Sequence, residues 1–333
     1  MKITFVEVNQ NVNTGSYRIW VKDLSTTLSQ VGVQTRIVSN NESIESDSDV
    51  VIYGKSATHL AKSFENTNNA KIGGINFPCD FHSKDFDFVI VGSHEEKISM
   101  SYYDNVFVYP LIERKFMNLP IKKHEDRNPL KICYHGHHPG LFKFKPHLRD
   151  ALDELSHEIP IELHVITGQK HFPWKFDLGK PSKVNVYMHG YDENFSRIVS
   201  SCDIGVVPNV CDMRSLFPGI EKTVNHNDLG LYNTDFFIRF KNKTNPGRAY
   251  VFYQHGIPVI HDLSPSSFDF MSKTGDYIFA HDKLSWIRQI KSLCSAGRRQ
   301  EISERNRKTF DTCFSPVKHA KLLLEFINNM EEI

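Results

Sequence analysis

Between Lys243 and Arg248 the chain reads Lys-Thr-Asn-Pro-Gly-Arg, and these residue types in this order describe a seat for an anion. Thr244 or Asn245 can cap a helix whose first position is Pro246, where a missing N–H costs nothing and the fixed φ suits the turn. Gly247 leaves the first turn open, and the free N–H groups with the positive end of the helix dipole attract negative charge. A helix start that served packing alone favours Asp or Glu. Lys243 and Arg248 oppose the dipole unless an anion joins them. Phosphate or diphosphate fits, because arginine can grip it with two parallel hydrogen bonds. The competing reading takes both cations as solvated surface charges.

Other residues can do chemistry only if they follow strands, since open parallel sheets bind ligands beyond the carboxyl ends of their strands. After the strand KICYHG come Gly136 and Gly140, where small residues let the backbone approach a ligand, and then Lys143 and Lys145, which can meet anionic oxygens. The same turn read blandly is a simple connection. His135, His137 and His138 stand close in sequence, yet no Cys or carboxylate accompanies them at ligand spacing, so no metal site is expected. Near the N-terminus, Gly15, Ser16 and Arg18 lie at a strand-to-helix turn that can line a cleft. Asp80 and His82 follow the strand IGGINF, where either can act as general base toward an acceptor hydroxyl or, equally, cap a turn. The pairs Asp47 with Asp49 and Asp85 with Asp87 precede strands and sit at the wrong end for a metal-nucleotide site.

The elements that must position these residues are legible as alternation. Short β-branched runs (KITFVEV, TRIVS, VVIYG, IGGINF, FVIVGS, NVFVYP) alternate with amphipathic segments, one of them a helix from about Tyr17 to Val31, which reads as βαβ units on a parallel sheet. The stretch MNLPIKKHEDRNP is polar and proline-flanked, and a second series of strands and helices begins at KICYHG. The expected architecture is α/β, with two Rossmann-like doubly wound domains in tandem: residues 1–115, a linker at 116–129, and residues 130–314. Helical periodicity continues from Lys283 to Met330, about the length of three helices. Residues 210–242 join a strand to a helix with little periodicity, and connections of that length are usually functional or mobile.

At 333 residues and 40% apolar content the chain can build two cores. Forty basic side chains against thirty-nine acidic ones leave a formal charge of +1, so the overall balance points to no nucleic-acid partner and any basic site is local. Cys79, Cys133, Cys202, Cys211, Cys294 and Cys313 are scattered without a C-x-x-C pair, which speaks for a reducing cytoplasm over a disulfide framework. MKITFVEVNQ lacks the core of a signal peptide and no apolar run approaches the ~18 residues needed to cross a bilayer, so a soluble protein with at most peripheral membrane contact is expected.

Over most of its length the chain resembles glycosyltransferases of the GT-B fold. The stretch VNVYMHGYDENFSRIVSSCDIGVVPN is similar to that family's strand, glycine, helix and strand rhythm. YQHGIPVIHD is similar to the "A-x-G-x-P-V-i" that follows its donor-binding helix, and GDYIFAHDKLSWIRQI resembles the segment that comes next. The resemblance implies two domains facing each other across a cleft, with acceptor on the first and a nucleotide-diphosphate sugar on the second. The last segment, 315–333, would pack back on the first domain. Lys243, Thr244, Asn245, Gly247 and Arg248, with Gly136 and Lys143, would hold the donor phosphates. Gly15 and Ser16 match the first-domain glycine turn, with Arg18 in the same cleft loop, and Asp80 and His82 lie where an acceptor-facing residue often stands. No metal is then required, because the cations meet the leaving diphosphate.

The chain departs from the retaining branch of that family in one respect. Alignment on Gly256, Pro258 and Val259 puts Lys243 and Val251 where that branch carries a glutamate pair. The activity implied is sugar transfer to a hydroxyl of a glycan or lipid-linked acceptor in bacterial surface polysaccharide synthesis, in the cytoplasm or at the inner face of the membrane. Two rivals stay open: an epimerase or polyol-phosphate transferase on the same plan, and a catalytically silent nucleotide-binding or scaffold protein.

Overall fold

The computed structural model describes residues 1–67, 69–75, 85–100, 102–209 and 246–330 of the chain. Within Met1–Lys115, Asn242–Gly247 and Thr312–Ile333 they form one compact unit, and within Phe116–Lys241 and Arg248–Asp311 a second.

The first unit is a six-stranded parallel sheet made of β1 (Lys2–Val6), β2 (Gln34–Val38), β3 (Val50–Tyr53), β4 (Lys71–Ile75), β5 (Phe88–Val91) and β6 (Val106–Val108), in the order β2-β1-β3-β4-β5-β6. β3 and β5 are buried along their whole length, as expected of parallel strands covered on both faces. Between β1 and β2 the chain forms α1, which opens α-helical at Gly15–Tyr17, passes through a π-helix at Arg18–Asp23 and closes α-helical at Leu24–Gln30. The helical pattern between β3 and β4 yields only a 3-10 turn, Thr58–Ser63. Helix α2 (His94–Ser99) follows β5, with Ser93 capping it by accepting from the Glu96 N–H.

The second unit holds β7 (Leu130–His135), β8 (Ile161–Ile166), β9 (Asn185–His189), β10 (Ile204–Val207) and β11 (Val259–His261), all parallel, in the order β11-β10-β7-β8-β9. Its helices are α3 (His147–Leu155), α4 (Phe195–Ser201), α5 (Gly247–Gln254), α6 (Pro265–Thr274), α7 (Lys283–Ser292) and most of α8 (Ala296–Cys313). The run YIFA, which reads as a strand, contributes a single bridge from Phe279 to His261. Helix α5 is buried from Ala249 to Gln254, a helix apolar all round and seated in the core. Gly205 of β10 makes that seat possible, since a Cβ there would stand 2.7 Å from ring carbons of Phe252.

Residues 116–129 are built into the second unit rather than spanning free. Arg307 Nη1 donates to the carbonyls of Leu119 (2.9 Å) and Gln254 (2.7 Å), and the fully buried Arg299 donates to the Glu125 carbonyl at 2.7 Å. His124 Nε2 donates to the Gly256 carbonyl at 2.9 Å, and burial pushes this histidine down to about 4. The polar composition that suggests a linker thus supplies partners for buried helix ends and arginines. The final helix, α9 (Pro316–Asn328), belongs to the first unit. Ala320, Leu323 and Ile327 share a core with Trp20, Leu24, Leu28 and Phe88, and Lys71 Nζ donates to the carbonyls of Ile327 (2.8 Å) and Met330 (3.2 Å).

Candidate functional site

In the second unit three segments converge at the carboxyl ends of β7 and β10: the turn after β7, residues 208–209 after β10, and the start of α5. Strand order brings them together, since β10 lies beside β7 and α5 packs on β10 through Gly205. Arg248, in the first turn of α5, is half-buried. Its Nη1 donates to the Tyr134 hydroxyl at 3.1 Å and its Nη2 to Asn209 Oδ1 at 3.2 Å, with Cζ 5.6 Å from the Tyr134 ring centroid. These contacts use two of the five guanidinium donors. No carboxylate among the described residues pairs with it. Lys143, in the 3-10 helix His138–Phe144 that follows β7, donates from Nζ to the same Asn209 oxygen at 3.4 Å. Two cations therefore share one neutral acceptor. Two like charges on one neutral acceptor favour an anionic ligand, and the positive end of the α5 dipole lies on the same side.

The glycines of the β7 turn serve this arrangement in a way the sequence does not reveal. A Cβ on Gly140 would lie 2.1 Å from the Tyr134 hydroxyl, and one on Gly136, whose φ is +151°, would lie 3.0 Å from both that hydroxyl and Arg248 Cδ. The room expected for a ligand at these glycines is occupied by Tyr134 and Arg248, so Gly136 shapes the site by admitting its arginine. Tyr134 is fully buried. Burial pushes its phenol up while Arg248 opposes, so the hydroxyl stays neutral and accepts from the guanidinium.

The three histidines of the turn do not converge. His135 Nε2 donates to the Arg248 carbonyl at 2.9 Å, leaving Nδ1 to accept from the Tyr191 hydroxyl at 3.3 Å. The rings of His137 and His138 meet at a tilt, 4.6 Å between centroids, and His138 also meets Phe172 at a tilt. Tyr191, exposed beyond β9, stacks on Phe195, which stacks on Phe116, at 5.2 and 5.6 Å. Val251, where the retaining branch places an acid, is 4% exposed in the core of α5.

In the first unit, Gly15 and Ser16 start α1 with open space around Gly15, where a Cβ would meet only Arg18 Nη2 at 3.9 Å. Arg18 is committed locally. Its Nε and Nη2 donate to Glu113 at 3.0 and 2.6 Å and its Nη1 to the Val12 carbonyl at 2.9 Å. Just past β1, Glu7 is 2% exposed. It accepts from the Asn9 N–H at 3.2 Å and from the Ser56 hydroxyl, and it lies against Gly54, where a Cβ would come within 2.3 Å of its carboxylate. Burial pushes its carboxyl up. Asp80, His82, Lys243, Thr244 and Asn245 lie outside the described residues. Sequence reading missed Asn209 and Tyr134, because neither stands in the helix-start pattern, and it missed Glu7. A signal for Asn209 existed: it closes a strand at the same sheet edge.

No family model matches the chain, and no similar curated protein is found. Solved structures do match it across almost its whole length. The DNA-modifying enzyme β-glucosyltransferase superposes with a TM-score of 0.60 at 14% identity, covering 98% of this chain and 100% of that one. The chain has the GT-B fold. The same GT-B architecture is found in a sucrose-phosphate synthase from Thermosynechococcus elongatus (TM-score 0.62, 11% identity, 98% of each chain). It is found again in Anabaena HepE in complex with UDP (TM-score 0.62, 11% identity, 99% of this chain and 100% of that one). At such identities the likeness is one of fold.

Proposed function

We propose that the protein is a glycosyltransferase that binds a nucleotide-diphosphate sugar on its second unit and moves the sugar to a hydroxyl of a glycan or lipid-linked acceptor. One observation carries the reading: Arg248 and Lys143 converge on a neutral amide at the N-terminal end of α5, with no carboxylate among the described residues on the arginine. As the bond from the sugar's anomeric carbon to the diphosphate breaks, charge grows on the leaving oxygen. Fixed cations and helix N–H groups at that point stabilise it. Lys243, Thr244, Asn245 and Gly247 would complete the grip, and with Arg248 and Lys143 in place we propose that no metal is needed. The acceptor oxygen forms the new bond and gives up its proton to a base on the first unit, for which Asp80 and His82 are the proposed groups.

The fold neighbours support a uridine nucleotide as the first donor to try, since they include β-glucosyltransferase studied with uridine diphosphoglucose and HepE holding UDP. Val251 cannot contact a sugar hydroxyl as an acid would, so sugar selection has to come from other residues. We place the acceptor in bacterial surface polysaccharide synthesis, at the inner face of the membrane. No described helix is long and apolar enough to cross one.

The test is a panel of nucleotide sugars, each incubated with the full chain, an acceptor extract and a chelator, with released nucleotide measured. Release from one donor that depends on the extract and persists with chelator is the expected result. No release from any donor would leave the silent scaffold as the better account. Isomerised sugar with the nucleotide still attached would favour the epimerase.

A further inference from the structure

Asn209 stands two residues beyond β10 and is 9% exposed. Its Oδ1 accepts from Arg248 Nη2 at 3.2 Å and from Lys143 Nζ at 3.4 Å. With the carbonyl oxygen turned to both cations, Nδ2 projects from the other arm of the same planar amide, and it makes no hydrogen bond to any described residue. That leaves an amide donor beside two cations, placed to meet an oxygen of whatever anion they hold. The choice of amide is equally telling. An aspartate would hold Arg248 and Lys143 more tightly through charge-assisted bonds, and it would cancel one of the two charges. An alanine would remove the acceptor the two cations share, leaving Arg248 with Tyr134. The amide restrains both and cancels neither.

We propose that Asn209 is a ligand-contacting residue of the anion site. Oδ1 aligns Arg248 and Lys143, Nδ2 donates to an oxygen of the same phosphoryl group, and the neutrality of the side chain preserves the charge that the anion meets. The inference rests on reading the second unit as the donor site, yet it makes a demand that a donor site alone does not: inorganic pyrophosphate should bind here without a nucleoside, and a carboxylate at position 209 should harm binding more than a simple deletion.

The experiment is calorimetric titration of the full chain and of Asn209→Ala, Asn209→Ser and Asn209→Asp with UDP and with inorganic pyrophosphate, at two salt concentrations. Losing one hydrogen bond to a charged ligand predicts about a tenfold weaker pyrophosphate affinity for Asn209→Ala and Asn209→Ser. Adding an internal competitor for both cations predicts a loss of about a hundredfold or more for Asn209→Asp, with a shallower salt dependence. A packing role alone would rank Asn209→Asp, the closest in shape, as the mildest change, and that order overturns the assignment, as does equal affinity for all four proteins. If Asn209→Asp does not fold, the Ala and Ser variants decide, since wild-type affinity in both removes Asn209 from the site. Wild-type protein that binds pyrophosphate through Asn209 but no nucleoside diphosphate would defeat the donor reading alone. Wild-type protein that binds UDP with no dependence on position 209 would defeat this inference alone, and binding of neither ligand defeats both.

Discussion

The two units carry the same kind of parallel sheet but finish its carboxyl edge with opposite electrostatics. In the second, Arg248 has a phenol and an amide for partners and Lys143 shares the amide. In the first, Arg18 is held at two points by Glu113, and Glu7 is a buried carboxyl group whose titration burial pushes up. A shared architecture therefore does not fix what an edge attracts. That is decided by whether a cation's partner is charged. The second edge gives its arginine neutral partners, whereas the first gives its arginine a carboxylate.

The comparison breaks most directly at Arg248. Arg248→Ala should weaken nucleoside diphosphate binding by about 1.5–3 kcal/mol, the usual worth of a hydrogen bond to a charged group. Unchanged affinity by calorimetry would show that the second edge is not the anion site.

A comparable effect, on stability, is expected from acid. Burial holds His124 at about 4 and His261 at about 3, so both are neutral in the folded chain, while an unfolded histidine takes its proton near 6.5. The unfolded state binds the proton more tightly, so the full stability is present above about pH 6.5 and falls as the pH drops. The loss is on the order of 2 kcal/mol per histidine by pH 5. Thermal unfolding between pH 8 and 5 should show this slope, and His124→Gln should flatten it. An unaltered slope in that variant would mean that His124 is already charged when folded.

Glu113→Gln should cost about 1–2 kcal/mol, because it removes the carboxylate hydrogen-bonded at two points to the half-buried Arg18. Its sharper use is to give the first edge an uncompensated cation, which should raise weak pyrophosphate binding there, detectable as a second site in the same titration. If none appears, cation neutralisation is not what separates the two edges.

The smallest effect is expected at Glu7. Its carboxyl is raised by burial, so the stability it contributes is present at low pH and is lost as the pH rises through the folded value. Glu7→Gln should leave the unfolding temperature at pH 8 unchanged or slightly higher. A fall of several degrees would show that the loop N–H and Ser56 hydrogen bonds hold Glu7 as an anion.

Much of this is visible along the chain. The alternation of β-branched runs and helices marks eleven strands of two parallel sheets wherever the run is long enough, and it fails where a segment is short: YIFA gives one bridge, and the helical pattern after β3 gives a 3-10 turn. The polar stretch 116–129 misleads for a different reason. Its polarity answers buried arginines and helix ends of the second unit, which no local pattern announces.

The residues 243–248 announce by themselves a helix start with misplaced positive charge, because caps, proline, glycine and dipole act within one turn. What meets Arg248 was decided only in three dimensions. Tyr134 lies 114 residues away and Asn209 lies 39, and they reach the same guanidinium because β10 is hydrogen-bonded to β7 and α5 is laid on β10. Likewise Arg18 is neutral at its edge through Glu113, 95 residues on. Periodicity and composition record what each segment does with its own neighbours. Strand order decides which distant side chains share a sheet edge, and with it whether a cation is left for a ligand.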